Sequence, residues 1–181
     1  MVIQRMFIYL VFSKTGTWLS RILQFCIKTK YVHVSIALDE DLTKMYSFGR
    51  VNPENPFSGG FVEESFSTGV FKKNKNCECI VYRIKISEEQ YKLLIKEIST
   101  FLEEQESFKY NFIGLITAGM NIKLKREKHY FCSQFVSELL IKANIINYNN
   151  PPEITRTTDL LTIETKEEVY KGFVWKYSGS H

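Results

Sequence analysis

Tyr130-Phe131-Cys132-Ser133-Gln134-Phe135-Val136-Ser137-Glu138-Leu139-Leu140 is the stretch on which the fold turns. Counted from Cys132, the apolar residues Phe135, Val136, Leu139 and Leu140 recur at the spacing of one buried helix face. That puts Cys132 in the first turn, where backbone N–H groups lack intrahelical partners and carry a partial positive charge. Such a position favours a thiolate, lowering a thiol from about 8.5 into roughly the 3.5–7.5 range. The other reading of Cys132 is a small core residue, since free cysteine is often fully buried.

Outward from this helix, a basic turn over Lys123 to His129 leads into it, and Tyr110 to Met120 reads as a helical or irregular segment interrupted by Gly114 and Gly119. Ser87-Glu88-Glu89-Gln90 is a capping box opening a helix whose apolar stripe is Tyr91, Leu94, Ile95, Ile98 and Leu102. Cys79 to Ile86 alternates as a strand. Gly49 to Gly69 reads as a long loop, a length usually functional or disordered. Tyr31 to Leu38 and Lys44 to Phe48 predict a hairpin around a turn at Asp39-Glu40-Asp41. Strand alternation puts His33 and Ser35 on one face and Val34, Ile36 and Leu38 on the other.

At the start of the chain, residues 2–12 read as a buried strand and Ser13 to Thr17 as a turn with Thr17 as N-cap. Trp18, Leu19, Ile22, Leu23, Cys26 and Ile27 then define an amphipathic helix carrying Arg21 and Lys28. This basic helix, 18–28, offers peripheral membrane contact; packing on a sheet is the alternative. Toward the end, Asn149 to Pro152 break the structure, a short helix lies near Thr158 to Leu161, and a hairpin is expected around Lys171-Gly172.

The chain has 181 residues, 44% hydrophobic and 24% charged, which fits one globular domain over 1–178. Residues 179–181 form a tail, natural or an expression remnant. Four cysteines in this length are no disulfide framework, and the Cys77-x-Cys79 spacing is poor for zinc. No stretch approaches a membrane span of about 20 apolar residues, and Phe7 to Phe12 is too short for a secretory core. A cytoplasmic, reducing setting is the expectation. The net charge of +4 is uneven: residues 1–30 hold five basic and no acidic residues, whereas 87–106 hold six glutamates against two lysines. An anionic partner near the N-terminal part fits that split; no nucleic-acid-binding module is present.

Of the three histidines, His181 is terminal and His129 lies in a charged turn. His33 begins an apolar strand, where an ionisable side chain needs a partner. A thiolate attacking a carbonyl needs a base, a group orienting that base, and oxyanion donors of the kind a helix start supplies.

Tyr31-Val32-His33-Val34-Ser35-Ile36 together with Tyr130-Phe131-Cys132-Ser133-Gln134-Phe135-Val136 resembles the NlpC-type papain-like superfamily. The order, histidine before cysteine, is similar to its circularly permuted branch, which includes YiiX-like amidases and the lecithin:retinol acyltransferase group. Tyr110-Asn111-Phe112-Ile113-Gly114 resembles the Tyr-x-Trp-Gly-Gly element ahead of the nucleophile helix. The resemblance covers roughly residues 5–175.

It implies an α+β papain-like fold, an antiparallel sheet or small barrel packed against helices with the nucleophile at a helix N-terminus. Cys132 would be the nucleophile and His33 the general base. Ser47 aligns with the third polar residue, Glu64 in the loop is the alternative carboxylate, and a dyad with no strong orienter is the third possibility. Tyr110 would line the site, with Tyr46 and Ser133 beside it. The implied chemistry is hydrolysis or transfer of an acyl group from an amide, ester or thioester, with no cofactor, on a small-molecule, peptide or lipid substrate. The alternatives are an inactive module of the same fold that binds a lipid, peptide or protein, and a zinc site drawn from His33, Cys132 and Cys77 or Cys79.

Overall fold

The computed structural model describes residues 6–14, 30–52, 58–147 and 150–179. The helix expected over 18–28, with Cys26, and residues 15–17 of the turn expected over Ser13 to Thr17 lie outside these residues; Ser13 and Lys14 continue the first strand instead, paired in its ladders.

The chain is mixed α+β, built on a six-stranded antiparallel sheet. In chain order the strands are β1 (Met6–Lys14), β2 (His33–Ala37), β3 (Met45–Arg50), β4 (Gly59–Glu64), β5 (Glu78–Ile86) and, near the C-terminus, β8 (Lys166–Phe173). They lie side by side as β4-β3-β2-β1-β5-β8, an open sheet with β4 and β8 at its edges. Among the helices, α1 spans Gly69–Lys73, α2 Glu88–Glu103, α3 Phe112–Gly119, α4 Cys132–Lys142 and α5 Thr157–Leu160. Short strands β6 (Lys109–Tyr110) and β7 (His129–Tyr130) pair in parallel ahead of α3 and α4.

Alternation along the strands sends apolar residues to both faces. One face (Leu10, Phe12, Val34, Ile36, Phe48, Ile84) packs against Phe135, Val136, Leu139 and Leu140 of α4 and Leu94 and Ile98 of α2. The other carries Tyr9, Val11, Ala37, Met45, Cys79 and Val81 and is covered by Phe71 and Val174. At the β3–β4 end of the first face, Phe48, Phe61, Phe101, Phe108, Tyr130 and Phe135 form an aromatic cluster with centroid spacings of 4.6–6.2 Å. Edge-to-face pairs such as Phe48 with Phe101 add orientation to the burial energy. The cluster clamps the start of α4 against β3 and β4, which fixes where Cys132 sits.

Several expectations change. The loop read over 49–69 contains β4: its glycines pair in register with β3, Gly49 with Gly60 and Arg50 with Gly59. They are there for close packing, since a Cβ at Gly59 would lie 2.5 Å from the Tyr110 Cβ and one at Gly60 2.8 Å from the Phe108 carbonyl oxygen. In α2 the capping box forms, Ser87 Oγ accepting from the Gln90 N–H at 3.1 Å, but Ile95 is exposed and Phe101 takes the core position. Lys171-Gly172 lies inside β8, a single strand paired with β5 rather than a hairpin. Among the described residues no helix is long and apolar enough to cross a membrane.

Candidate functional site

Cys132 is the first residue of α4, with Phe131 at the N-cap in extended conformation. The first ladder bond runs from the Phe135 N–H to the Phe131 carbonyl, so the N–H groups of Cys132, Ser133 and Gln134 precede it. The thiol is 2% exposed and lies 3.8 Å from the carbonyl oxygen of Val32, the residue before His33. The last residue before β2 and the first of α4 therefore meet, although 100 positions separate them.

His33 Nε2 lies 3.0 and 2.9 Å from the two carboxylate oxygens of Glu64. The Cys132 side chain is close enough to the ring to raise it further. The Ser35 hydroxyl donates to Glu64 Oε2 at 2.6 Å and lies 3.3 Å from His33 Nε2. Burial by itself would push the imidazole down. The Glu64 charge, the nearby Cys132 side chain and the Glu64 hydrogen bond outweigh it, holding His33 well above its ordinary value of 6.5. For Glu64, burial pushes upward, but the His33 charge and the hydrogen bonds from His33 and Ser35 win, leaving the carboxyl lowered. Each partner thus favours the charged form of the other, in a pocket where their side chains are only 13% and 18% exposed.

The sheet makes room for this pair at Gly49. A Cβ there would lie 3.3 Å from Glu64 Oε1, 3.4 Å from Val62 Cγ2 and 3.6 Å from His33 Cε1. Tyr110 is half-buried, its Cβ set against Gly59; loss of solvation and then the nearby Cys132 side chain hold its phenol well above 10. A groove of about 670 Å³ lies beside the site, with Gly59, Gly60, Phe61, Phe108 and Lys109 in its lining but none of Cys132, His33, Glu64 or Tyr110.

The structure thus brings Cys132, His33, Glu64 and Tyr110 together. Ser47 sits elsewhere in the hydrogen-bond network: its buried hydroxyl donates to the Val34 carbonyl at 2.7 Å, and Glu64 occupies the place beside the imidazole. Tyr46 is a core residue stacked on Phe61 at 6.2 Å. The Ser133 hydroxyl donates to the Thr155 carbonyl at 2.8 Å, tying α4 to the chain after the 3-10 turn Pro152–Ile154. Sequence reasoning did not assign roles to Ser35 and Gly49. The alternation that puts His33 and Ser35 on one face was the signal for the first; nothing local marks the second, because its constraint comes from β4.

Cys77 and Cys79 are buried on the sheet's second face, where loss of solvation pushes both thiols up to about 12. Among the described residues no group of three or more His, Cys, Asp or Glu side chains could hold a metal ion. Comparison of the chain with family models, with curated proteins and with solved structures finds no match.

Proposed function

We propose that the protein is a cysteine-dependent hydrolase or acyltransferase of permuted papain-like architecture, acting on an amide, ester or thioester. The observation that carries this reading is His33 paired with the Glu64 carboxylate at 2.9 Å, next to Val32, whose carbonyl meets the Cys132 thiol at the N-terminus of α4. In the proposed cycle His33 holds the thiol proton and the Cys132 thiolate attacks the carbonyl carbon, forming the C–S bond. The resulting oxyanion is met by N–H groups of the first turn of α4. Collapse expels the leaving group, which takes the proton from His33, and leaves acyl-Cys132. Water or an acceptor then attacks the acyl carbon, giving His33 its proton, and the C–S bond breaks to restore the thiolate. Glu64 orients the ring and stabilises the imidazolium, and Ser35 holds Glu64.

A second reading, a binding module of the same architecture, draws on the 2% exposure of Cys132. Alkylation of Cys132 by iodoacetamide against pH, with mass mapping, separates the two. The catalytic reading expects fast reaction below about pH 7, lost in His33→Ala. In Glu64→Gln the imidazolium loses its carboxylate, so the alkaline limb of acyl-transfer activity moves to lower pH, with a fall on the order of 10²-fold or more in rate. A thiol that titrates near 8.5, indifferent to His33→Ala, would sink the catalytic reading.

A further inference from the structure

Nine large apolar side chains stand exposed among the described residues, and four fall within ten positions: Ile113, Ile116, Met120 and Ile122. Their exposures are 55%, 64%, 66% and 50%, at least half of each residue's surface. Ile113, Ile116 and Met120 fall within an arc of about 60° on α3 and its C-cap. The opposite side of α3 is committed to the fold, with Leu115 and Ala118 packed on Phe131 and Tyr110. A contiguous bare apolar face of this kind marks a contact surface.

Charge identifies what it contacts. From Ser107 to Arg126 the chain carries no acidic residue. Lys109 precedes α3, and Lys123, Lys125 and Lys128 follow it, all exposed. Lys128 pairs with Glu104 at 2.7 Å and Lys123 lies 3.9 Å from Glu153. Arg126 is half-buried and donates to Asn111 Oδ1 at 3.3 Å, and Glu127 is the one acid in the turn. Among the described residues Lys109 and Lys125 have no ion-pair partner. A second copy of the same face would set cation against cation in a two-fold contact. A lipid surface supplies negative headgroups and an apolar layer together.

We propose that the Ile113–Ile116–Met120–Ile122 face, with Lys109 and Lys125, docks the protein in-plane on an anionic lipid surface. Because the inner side of α3 touches Phe131, docking places Cys132 about one helix diameter, on the order of 10 Å, from the headgroups. The proposal stands independently of whether Cys132 is catalytic, and it concerns α3 alone, the stretch 18–28 lying outside the described residues.

The test is co-sedimentation of the full chain with phosphatidylcholine vesicles, with and without phosphatidylserine, at low and high salt. Wild type is compared with Ile113→Asn/Ile116→Asn/Met120→Gln and with Lys109→Glu/Lys125→Glu. Thermal unfolding verifies that the variants fold, and sedimentation equilibrium reports association state. Expected is salt-sensitive binding to the anionic vesicles only, reduced by roughly tenfold or more in the apolar variant and by about tenfold in the charge variant. No binding by wild type, equal binding by a folded variant, or a dimer that the apolar variant breaks would each overturn the proposal.

Discussion

Gly49 and the Glu64 carboxylate compete for the same few cubic ångströms. A Cβ 3.3 Å from Glu64 Oε1 and 3.6 Å from His33 Cε1 forces the carboxylate to give by a few tenths of an ångström. Gly49→Ala should therefore leave the fold intact and lengthen the His33–Glu64 contact. The expected readout is an alkaline limb of acyl-transfer activity displaced in the direction of Glu64→Gln but by less; a profile superimposable on wild type would show that the space is not used this way. Cys132 and His33 were legible because each breaks a local rule: a thiol where a helix dipole begins, an imidazole where an apolar strand begins. Glu64 was legible only as an alternative to Ser47, because the choice depends on how β4 crosses the sheet. A serine on β3 is nearer to His33 in strand order, yet its hydroxyl is satisfied by the Val34 carbonyl, and a carboxylate reaching from the edge strand takes its place.

At the level of elements, α3 shows how tightly the approach to the site is built. Asn111 caps it, its side chain accepting from the Gly114 N–H at 2.9 Å, and any side chain at Gly114 would collide with the Asn111 amide. Gly114→Ala should thus cost about 1–3 kcal/mol through overpacking and loss of the cap, read as a lower urea midpoint with an unchanged slope. An unaltered midpoint would mean that Asn111 swings away at no cost. Helices declared by period and cap were readable in advance: Ser87-Glu88-Glu89-Gln90 opens α2 and Cys132 opens α4. β4 was not, because Gly59-Gly60 carries the composition of a turn while serving as the slot for Phe108 and Tyr110. Nor was the outward turn of Ile95, since helical period defines a stripe but not which edge of it the sheet covers. β8 hid for a related reason: Gly172 reads as a turn but pairs with Cys79 inside a ladder.

For the whole molecule, the half-buried His33–Glu64 pair links stability to pH. His33 is raised from 6.5, so its contribution is fully present below about 6.5 and is lost as pH climbs through the raised folded value. Glu64 is lowered from 4.5, so its contribution is fully present above about 4.5 and is lost as pH falls through the lowered folded value. The stabilisation from the pair should accordingly be greatest between about pH 4.5 and 6.5 and decline on both sides. The difference in urea midpoint between wild type and His33→Asn/Glu64→Gln measures it; a difference that is flat with pH would mean the pair carries no linkage.

The strand order also sets a timetable. β2, β3 and β4 form a meander of neighbouring hairpins, so the strands bearing His33 and Glu64 can assemble from local contacts. β1 pairs with β2 on one edge, but its other edge must wait for β5, and β5 for β8, from distant parts of the chain. Ladders of that span place folding in milliseconds to seconds rather than microseconds. Cys132 arrives late as well, on a helix synthesised after the meander is complete. During synthesis the imidazole and the sulfur are thus kept apart in time, and the thiol gains its base only when α4 docks.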